Sequence, residues 1–137
     1  MSNPLSLRLQ GDALQRLWFQ AKLAGMPPRT LAQRMLEEAL RMAEHPLIDF
    51  VNNGPVRRAR LRGTGLEVWE LVNVVKGHDG DIAGVIEYTG KSLEMVEAAV
   101  AYYGVYPDEI DVLLEENQRA YDEGRAAYLA GLERLTA

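Results

Sequence analysis

The sequence contains no cysteine and only two histidines among its 137 residues. A chain without cysteine forms no disulfide, which fits a reducing compartment, and we expect the cytoplasm. Two histidines leave few ligands for a transition metal, so no cofactor is expected. No apolar run follows Met1, and no run approaches the roughly 18 residues of a membrane span. The sequence therefore predicts neither a signal peptide nor a membrane partner.

Positive charge is scarce in the second half of the chain. The residues before Gly63 include ten Lys/Arg and five Asp/Glu, a net charge of +5. From Gly63 onwards there are five Lys/Arg and fifteen Asp/Glu, a net charge of −10. This division predicts two tasks, a basic part that meets an acidic polymer and an acidic part that meets something else.

The first 44 residues predict one strand followed by two helices. Leucines alternate with polar residues over 5–10, which is typical of a strand with one apolar face. Asp12 is expected to cap a helix that ends at Gly25, and Pro28 to open a second helix that ends at His45. Trp18 is expected in the core. So short a segment buries too little surface to fold alone, and a single strand needs a partner, which predicts a dimer.

This layout resembles the ribbon-helix-helix (CopG/Arc-like) DNA-binding families. The matching residues are Leu5-Ser6-Leu7-Arg8-Leu9, Leu14, Leu17, Gly25-Met26 and Leu31-Ala32-Gln33-Arg34-Met35-Leu36-Glu37-Glu38. The resemblance implies a homodimer whose two-stranded ribbon enters the major groove of operator DNA. Its strands would pair through Leu5, Leu7 and Leu9.

The same resemblance implies two sets of DNA contacts. The outward strand residues would meet base edges, and the start of the second helix would meet a phosphate. The chain has Pro27-Pro28-Arg29-Thr30 where the family usually has a Ser/Thr-rich turn, so Arg29 and Thr30 are expected to replace that turn. The predicted base-reading residues are Ser6, Arg8 and Gln10.

The segment after the two helices predicts a β-hairpin and then a helical bundle. Apolar runs at 48–51 and 56–61 flank an Asn-Gly turn. Alternation in the second run places Ala59 and Leu61 inward and a row of three arginines outward. Three helices with apolar stripes follow, arranged like a helix-turn-helix. The three arginines are Arg58, Arg60 and Arg62.

Four spaced motifs in this region resemble the domain of unknown function 433 family, which is linked to VapB-like antitoxins of type II toxin-antitoxin pairs. The motifs are Ile48-Asp49-Phe50, Arg62-Gly63-Thr64-Gly65-Leu66-Glu67-Val68-Trp69, Ala98-Ala99-Val100-Ala101-Tyr102-Tyr103 and Tyr106-Pro107-Asp108-Glu109-Ile110-Asp111. The resemblance implies a nuclease-type toxin, PIN or PIN-like, as the partner. Gly65 stands where that family usually has arginine.

The chain is expected to end in a long helix that Pro107 opens. Its apolar and aromatic stripe continues to the last residues, although Gly124 and Gly131 weaken the helix. A helix of this kind often becomes ordered against a partner, which predicts a toxin-binding surface. The alternative is packing on its own bundle or on the second copy. The predicted partner-binding residues are the arginine row Arg58, Arg60 and Arg62 and, on this helix, Tyr121, Tyr128, Leu129 and Leu132.

The arginine row could make three kinds of interaction. It can form a solvated face or pair with the chain's own acids, it can enter the acidic site of a nuclease, or it can contact operator phosphates. The helix-turn-helix-like part is not expected to read DNA, since Glu87, Glu94 and Glu97 would face phosphates. Asp49, Asp79, Asp81 and Glu109 could form a small metal-nuclease set, but so acidic a segment produces such sets by chance, and no enzyme is expected.

The sequence thus predicts a mainly α protein in three parts. Residues 1–44 form a dimeric ribbon-helix-helix domain, 45–106 a hairpin with a helix-turn-helix-like bundle, and 107–137 a partner-binding helix. The predicted function is an antitoxin that neutralises a nuclease toxin and represses its own operon. The alternatives are a stand-alone transcriptional regulator without a toxin, and an interaction module in which the ribbon only dimerises.

Overall fold

The structure is a computed structural model that describes residues 3–53 and 56–137. Within those ranges the chain is mainly helical, with one two-stranded antiparallel sheet. It divides into two compact units, Met1–Glu44 and His45–Ala137. No helix in the described ranges is both long and apolar enough to cross a membrane. The elements in chain order are α1 (Gly11–Ala24), α2 (Pro28–Glu44), β1 (Ile48–Asn53), β2 (Val56–Leu61), α3 (Val68–Gly77), α4 (Ile82–Thr89), α5 (Leu93–Val105) and α6 (Pro107–Thr136).

The first unit is a pair of helices joined by a tight turn. Gly25 ends α1 with φ of 67°, a left-handed conformation that glycine adopts without strain. The Met26 N–H donates to the Ala21 carbonyl at 3.1 Å and closes the turn. Pro28 is the first residue of α2, as predicted, since a first-turn proline loses no helical hydrogen bond.

Two predictions for this unit are wrong for the single chain, and the predicted strand is not confirmed. The helix begins at Gly11, so Asp12 lies in its first turn and pairs with Arg16 at 2.9 Å instead of capping it. Residues 3–10 belong to no helix or strand, and the sheet of the described chain contains only β1 and β2. The Trp18 side chain, expected in the core, is 59% exposed.

The second unit begins with the predicted hairpin. The strands pair antiparallel, with Ile48 opposite Leu61 and Phe50 opposite Ala59. Ile48, Ala59 and Leu61 are buried, so the predicted inward face of β2 is confirmed. β1 extends through Asn53, further than the sequence indicated, and residues 54 and 55 of the predicted Asn-Gly turn lie outside the described residues.

Helices α3 to α6 enclose one core beneath the hairpin. The predicted apolar stripes of α3 and α4 are confirmed by burial of Val68, Leu71, Val72 and Val85. Ser92 caps α5, accepting the Met95 N–H at 3.2 Å.

The apolar spacing of α5 predicts a core side made of Leu93, Val96, Ala99, Val100 and Tyr103, and the structure agrees in part. Val96 and Ala99 are buried, and Tyr103 packs against the core. Leu93 and Val100 are 46% and 39% exposed, whereas Tyr102 is fully buried. Apolar residues of α5 lie on most sides of the helix, so their spacing alone does not show which side is buried. Contacts with α3, α4, α6 and β2 select it instead.

The last helix is only partly covered by the bundle. Pro107 opens it, as predicted, and its thirty residues span about 45 Å. Ile110 is buried and Leu114 packs against the core. The side chains of Tyr121 and Tyr128 are 65% and 60% exposed, so the final turns contribute little to the core.

Candidate functional site

The outer face of the hairpin carries a cluster of charged residues. Asp49 lies opposite Arg60 across the two strands, and Val51 lies opposite Arg58. The Arg60 guanidinium donates twice to the Asp49 carboxylate, from Nε to Oδ1 and from Nη2 to Oδ2, both at 3.0 Å. The hydrogen bond and the charge of Asp49 raise the pKa of Arg60 above its ordinary value. This two-point geometry fixes the guanidinium on the sheet.

Glu67 is the most enclosed acid next to that cluster, with 8% of its surface exposed. Its Oε1 accepts the Trp69 indole N–H at 2.9 Å and lies 3.5 Å from Arg58 Nη1. Its Oε2 accepts from Asn53 Nδ2 at 2.5 Å. A buried carboxylate is costly unless charge and hydrogen bonds compensate it, and these three partners supply both.

A short turn between β2 and α3 places Glu67 beside Arg58. Gly63 has φ of 77°, which favours glycine, and lets the chain reverse directly after β2. The Thr64 hydroxyl donates to the Leu61 carbonyl at 2.7 Å, and its oxygen accepts the Leu66 N–H at 3.0 Å. Arg60 and Glu67 then form an isolated antiparallel bridge. The motif Gly63-Thr64-Gly65 thus places an acid beside the arginine row.

Glu67 also precedes α3 as its N-cap residue. The Glu70 carboxylate accepts the Glu67 N–H at 3.0 Å, which satisfies one donor at the start of the helix. The spacing Glu67-x-x-Glu70 is visible in the sequence as a helix start. Its role as the ion-pair partner of Arg58 was missed, because that contact depends on the turn.

The arginine row is therefore largely paired with the chain's own acids. Arg58 and Arg60 form ion pairs with Glu67 and Asp49, and their side chains are 23% and 31% exposed. Arg58 Nε is buried without a hydrogen-bond partner in the described structure. Arg62 is exposed and donates to the Ile48 carbonyl at 3.3 Å. Only this third arginine forms no ion pair within the described ranges.

The predicted DNA-contacting residues are exposed in the first unit. Ser6, Arg8 and Gln10 lie in the segment before α1. Arg29 and Thr30 occupy the first turn of α2. Since Pro28 has no N–H, these two residues supply the free backbone donors of that turn.

The predicted partner-binding residues of α6 form an exposed stripe. Tyr121, Tyr128, Leu129 and Leu132 are 65%, 60%, 48% and 43% exposed. The Arg125 guanidinium lies 5.9 Å from the centre of the Tyr128 ring. The stripe is apolar and aromatic, a composition that fits a protein surface more than a nucleic acid.

The two histidines contact tyrosine rings and a backbone carbonyl within their own unit. His45 meets the rings of Tyr102 and Tyr106 edge-on, with centroids 5.4 and 6.1 Å apart. His78 Nδ1 lies 2.9 Å from the Val74 carbonyl oxygen at the end of α3. Within residues 3–53 and 56–137, no group of three or more His, Cys, Asp or Glu could hold a metal ion.

Three of the four acids considered for a metal-nuclease set have separate polar partners. Asp49 pairs with Arg60, Glu109 accepts the Tyr102 hydroxyl, and Asp81 accepts the Gly84 N–H as the N-cap of α4. Asp79 has φ of 51° in the turn after α3. Among the described residues, these acids form no group of three that could hold a metal ion.

Comparisons with known proteins add no family to these observations. No protein-family model matches the chain, and no curated protein or solved structure is significantly similar to it. Functional inference therefore depends on the chain's own surfaces.

Proposed function

We propose that the chain is a DNA-binding antitoxin that dimerises through its first unit and blocks a nuclease-type toxin with its second. The observation that carries this proposal is the apolar surface of the first unit. Leu5, Leu7 and Leu9 are 72%, 64% and 42% exposed, and Trp18 and Phe19 are each 59% exposed. A soluble protein rarely leaves so much apolar surface uncovered without a partner.

A second copy is the partner that the sequence pattern of this surface fits. Leucines at alternate positions form one face of an extended segment, and two such segments can pair as an antiparallel ribbon. Among the described residues of this unit only Ala21 and Leu31 are buried, so a shared core would supply most of its stability.

The other face of that ribbon would bind DNA. Ser6, Arg8 and Gln10 can donate to or accept from base edges in the major groove, where each good contact contributes roughly 1–3 kcal/mol of discrimination. Residues 1–44 carry a net charge of only +2. Sequence-specific contacts are therefore more important than bulk charge, with Arg29 and Thr30 at a phosphate.

The second unit supplies the partner surface of the proposed antitoxin. The stripe of Tyr121, Tyr128, Leu129 and Leu132 would bind the toxin. The exposed Arg62 could reach an acidic nuclease site directly, whereas Arg58 and Arg60 would first have to leave Glu67 and Asp49. A toxin that bridges two dimers would raise their effective affinity for the operator.

The DNA proposal is tested with Arg8→Ala and a matched control, Arg16→Ala. Both remove an exposed arginine, but Arg16 pairs with Asp12 on α1 and is not assigned to DNA. On a DNA fragment from upstream of the chain's own gene, Arg8→Ala should weaken binding by roughly ten-fold, and Arg16→Ala should change it little. Equal affinities for both variants would contradict the base-reading role. No binding by the unmodified chain, even at low salt, would leave the ribbon as a dimerisation element only.

A further inference from the structure

The apolar face of α6 continues past the point where the helix leaves its own bundle. Ile110 and Leu114 pack in the core. The same face then presents Tyr121, Tyr128 and Leu135 to solvent, with exposures of 65%, 60% and 85%. These three residues follow Leu114 at intervals of seven, the spacing of a helix-helix seam. The exposed seam is continuous with an interface already used inside the unit.

Glycines alternate with the large residues along this seam. Gly124 and Gly131 each follow a seam tyrosine by three residues, so they lie on the same face of the helix. A Cβ atom at either glycine would meet nothing within 4 Å. Both glycines lie within the continuous helix α6, where glycine is less favourable than alanine. The described chain contains no contact that requires them, whereas close approach by a second helix does.

The alternation is complementary to itself in one orientation. Parallel pairing would set tyrosine against tyrosine and glycine against glycine, which crowds one layer and empties the next. Antiparallel pairing can be centred on a two-fold axis at the level of residue 126 along the helix. Tyr121 then lies opposite Gly131 of the other copy, and Tyr128 lies opposite Gly124. Each of these layers then combines one large and one small residue, as close packing requires.

The charges favour the same orientation. Residues 118–137 carry three Lys/Arg and three Asp/Glu, so they are neutral overall, whereas 107–117 carries five Asp/Glu and no Lys/Arg. Parallel pairing would align the two acidic segments. Antiparallel pairing keeps them at opposite ends and brings Arg134 within about one helical turn of Glu116 of the other copy.

We propose that residues 115–137 of α6 bind the same segment of a second copy as an antiparallel helix pair. Four tyrosine side chains can bury on the order of 150 Å² each, and with the leucines the total approaches roughly 1,000 Å², the lower end for a specific interface. The pair is therefore weak and reversible. It does not depend on DNA or toxin binding. Because it covers Tyr121 and Tyr128, it competes with any protein that binds that stripe.

The first test compares Gly124→Gln with Ala126→Gln in the full chain by analytical ultracentrifugation. The two variants introduce the same side chain at positions two residues apart, but only Gly124 lies on the seam. Both keep the first unit intact, so any dimer formed there persists in both. Gly124→Gln should weaken one association step by roughly ten-fold or more, because added volume cannot fit a packed seam. Ala126→Gln should leave that step unchanged. Identical association of the two variants would overturn the proposal.

The second test fixes the orientation with single cysteines in a chain that has none. In the antiparallel register, Ala127→Cys brings the two thiols together beside the axis. Ala120→Cys leaves them about 18 Å apart along the helices, beyond the reach of a disulfide. Under mild oxidation, the first variant should form a covalent dimer and the second should not. Equal cross-linking of both variants, or of neither, would overturn the antiparallel pair.

Discussion

Individual residues of the second unit tie its helices together through polar contacts. The Tyr103 hydroxyl on α5 donates to Asp111 Oδ1 on α6 at 2.6 Å, and the Lys76 ammonium of α3 lies 5.6 Å from the centre of the same ring. The hydrogen bond to Asp111 is the largest of the effects that raise the pKa of Tyr103 above its ordinary value near 10, and Lys76 opposes them. The folded chain therefore favours the neutral phenol of Tyr103 more than the unfolded chain does.

This raised pKa gives a prediction for alkaline pH. The stabilisation is fully present below the unfolded pKa near 10 and is lost as pH rises through the higher folded pKa. Asp111→Asn removes the charged acceptor, so the pKa of Tyr103 should fall, whereas Glu115→Gln on the same helix should leave it in place. NMR titration of ring-labelled tyrosine, with Tyr103→Phe for assignment, measures both. An unchanged Tyr103 titration in Asp111→Asn would refute this account.

At the scale of elements, residues that act on their immediate neighbours in the sequence were predictable. Gly25, Pro28, Ser92 and Pro107 each begin or end a helix through backbone effects within a few residues. The ion pair between Arg58 and Glu67 was not predictable in this way, because it requires the hairpin and the following turn together.

Two further elements show why the rest could not be predicted. The buried face of α5 was only partly predictable, because apolar residues lie on most sides of the helix and contacts with neighbouring elements place Tyr102 inside. The segment 5–10 has a clear strand pattern but no partner strand within one chain. In the candidate site, the outward direction of the arginine row was evident from alternation, whereas its pairing with Asp49 and Glu67 was not.

The exposed end of α6 gives a prediction that belongs to this one element. A chain truncated after Asn117 keeps Ile110 and Leu114, so the second unit should remain folded. DNA affinity of a single dimer should persist, while inhibition of a nuclease encoded beside the gene should be lost. Tyr121→Ser with Tyr128→Ser should reproduce the loss at full helix length.

A matched control separates this stripe from a general effect on the helix. Glu123→Ser with Ala130→Ser changes two exposed positions of α6 outside the predicted partner-binding set. It should leave inhibition intact. A truncated chain that still neutralises the nuclease would remove the tail from the proposed function. Absence of any adjacent nuclease gene would favour the stand-alone regulator.

At the scale of the whole molecule, the two units should differ in how they are stabilised. The second unit encloses eleven buried residues in one hydrophobic cluster. Only Ala21 and Leu31 are buried among the described residues of the first. A unit that gains its core from a second copy has a stability that depends on protein concentration, whereas a unit with its own core does not.

Each unit contains one tryptophan, so this difference can be measured separately. Trp69→Phe leaves Trp18 to report on the first unit, and Trp18→Phe leaves Trp69 to report on the second. In a Gly124→Gln background, which should weaken the proposed tail pairing, the denaturation midpoint seen by Trp18 should rise with protein concentration. The midpoint seen by Trp69 should stay constant. Trp18 emission should also shift to shorter wavelength on association, since its side chain is 59% exposed in the single chain. A concentration-independent Trp18 transition would mean that the first unit folds without a second copy, and the ribbon dimer would then lose its physical basis.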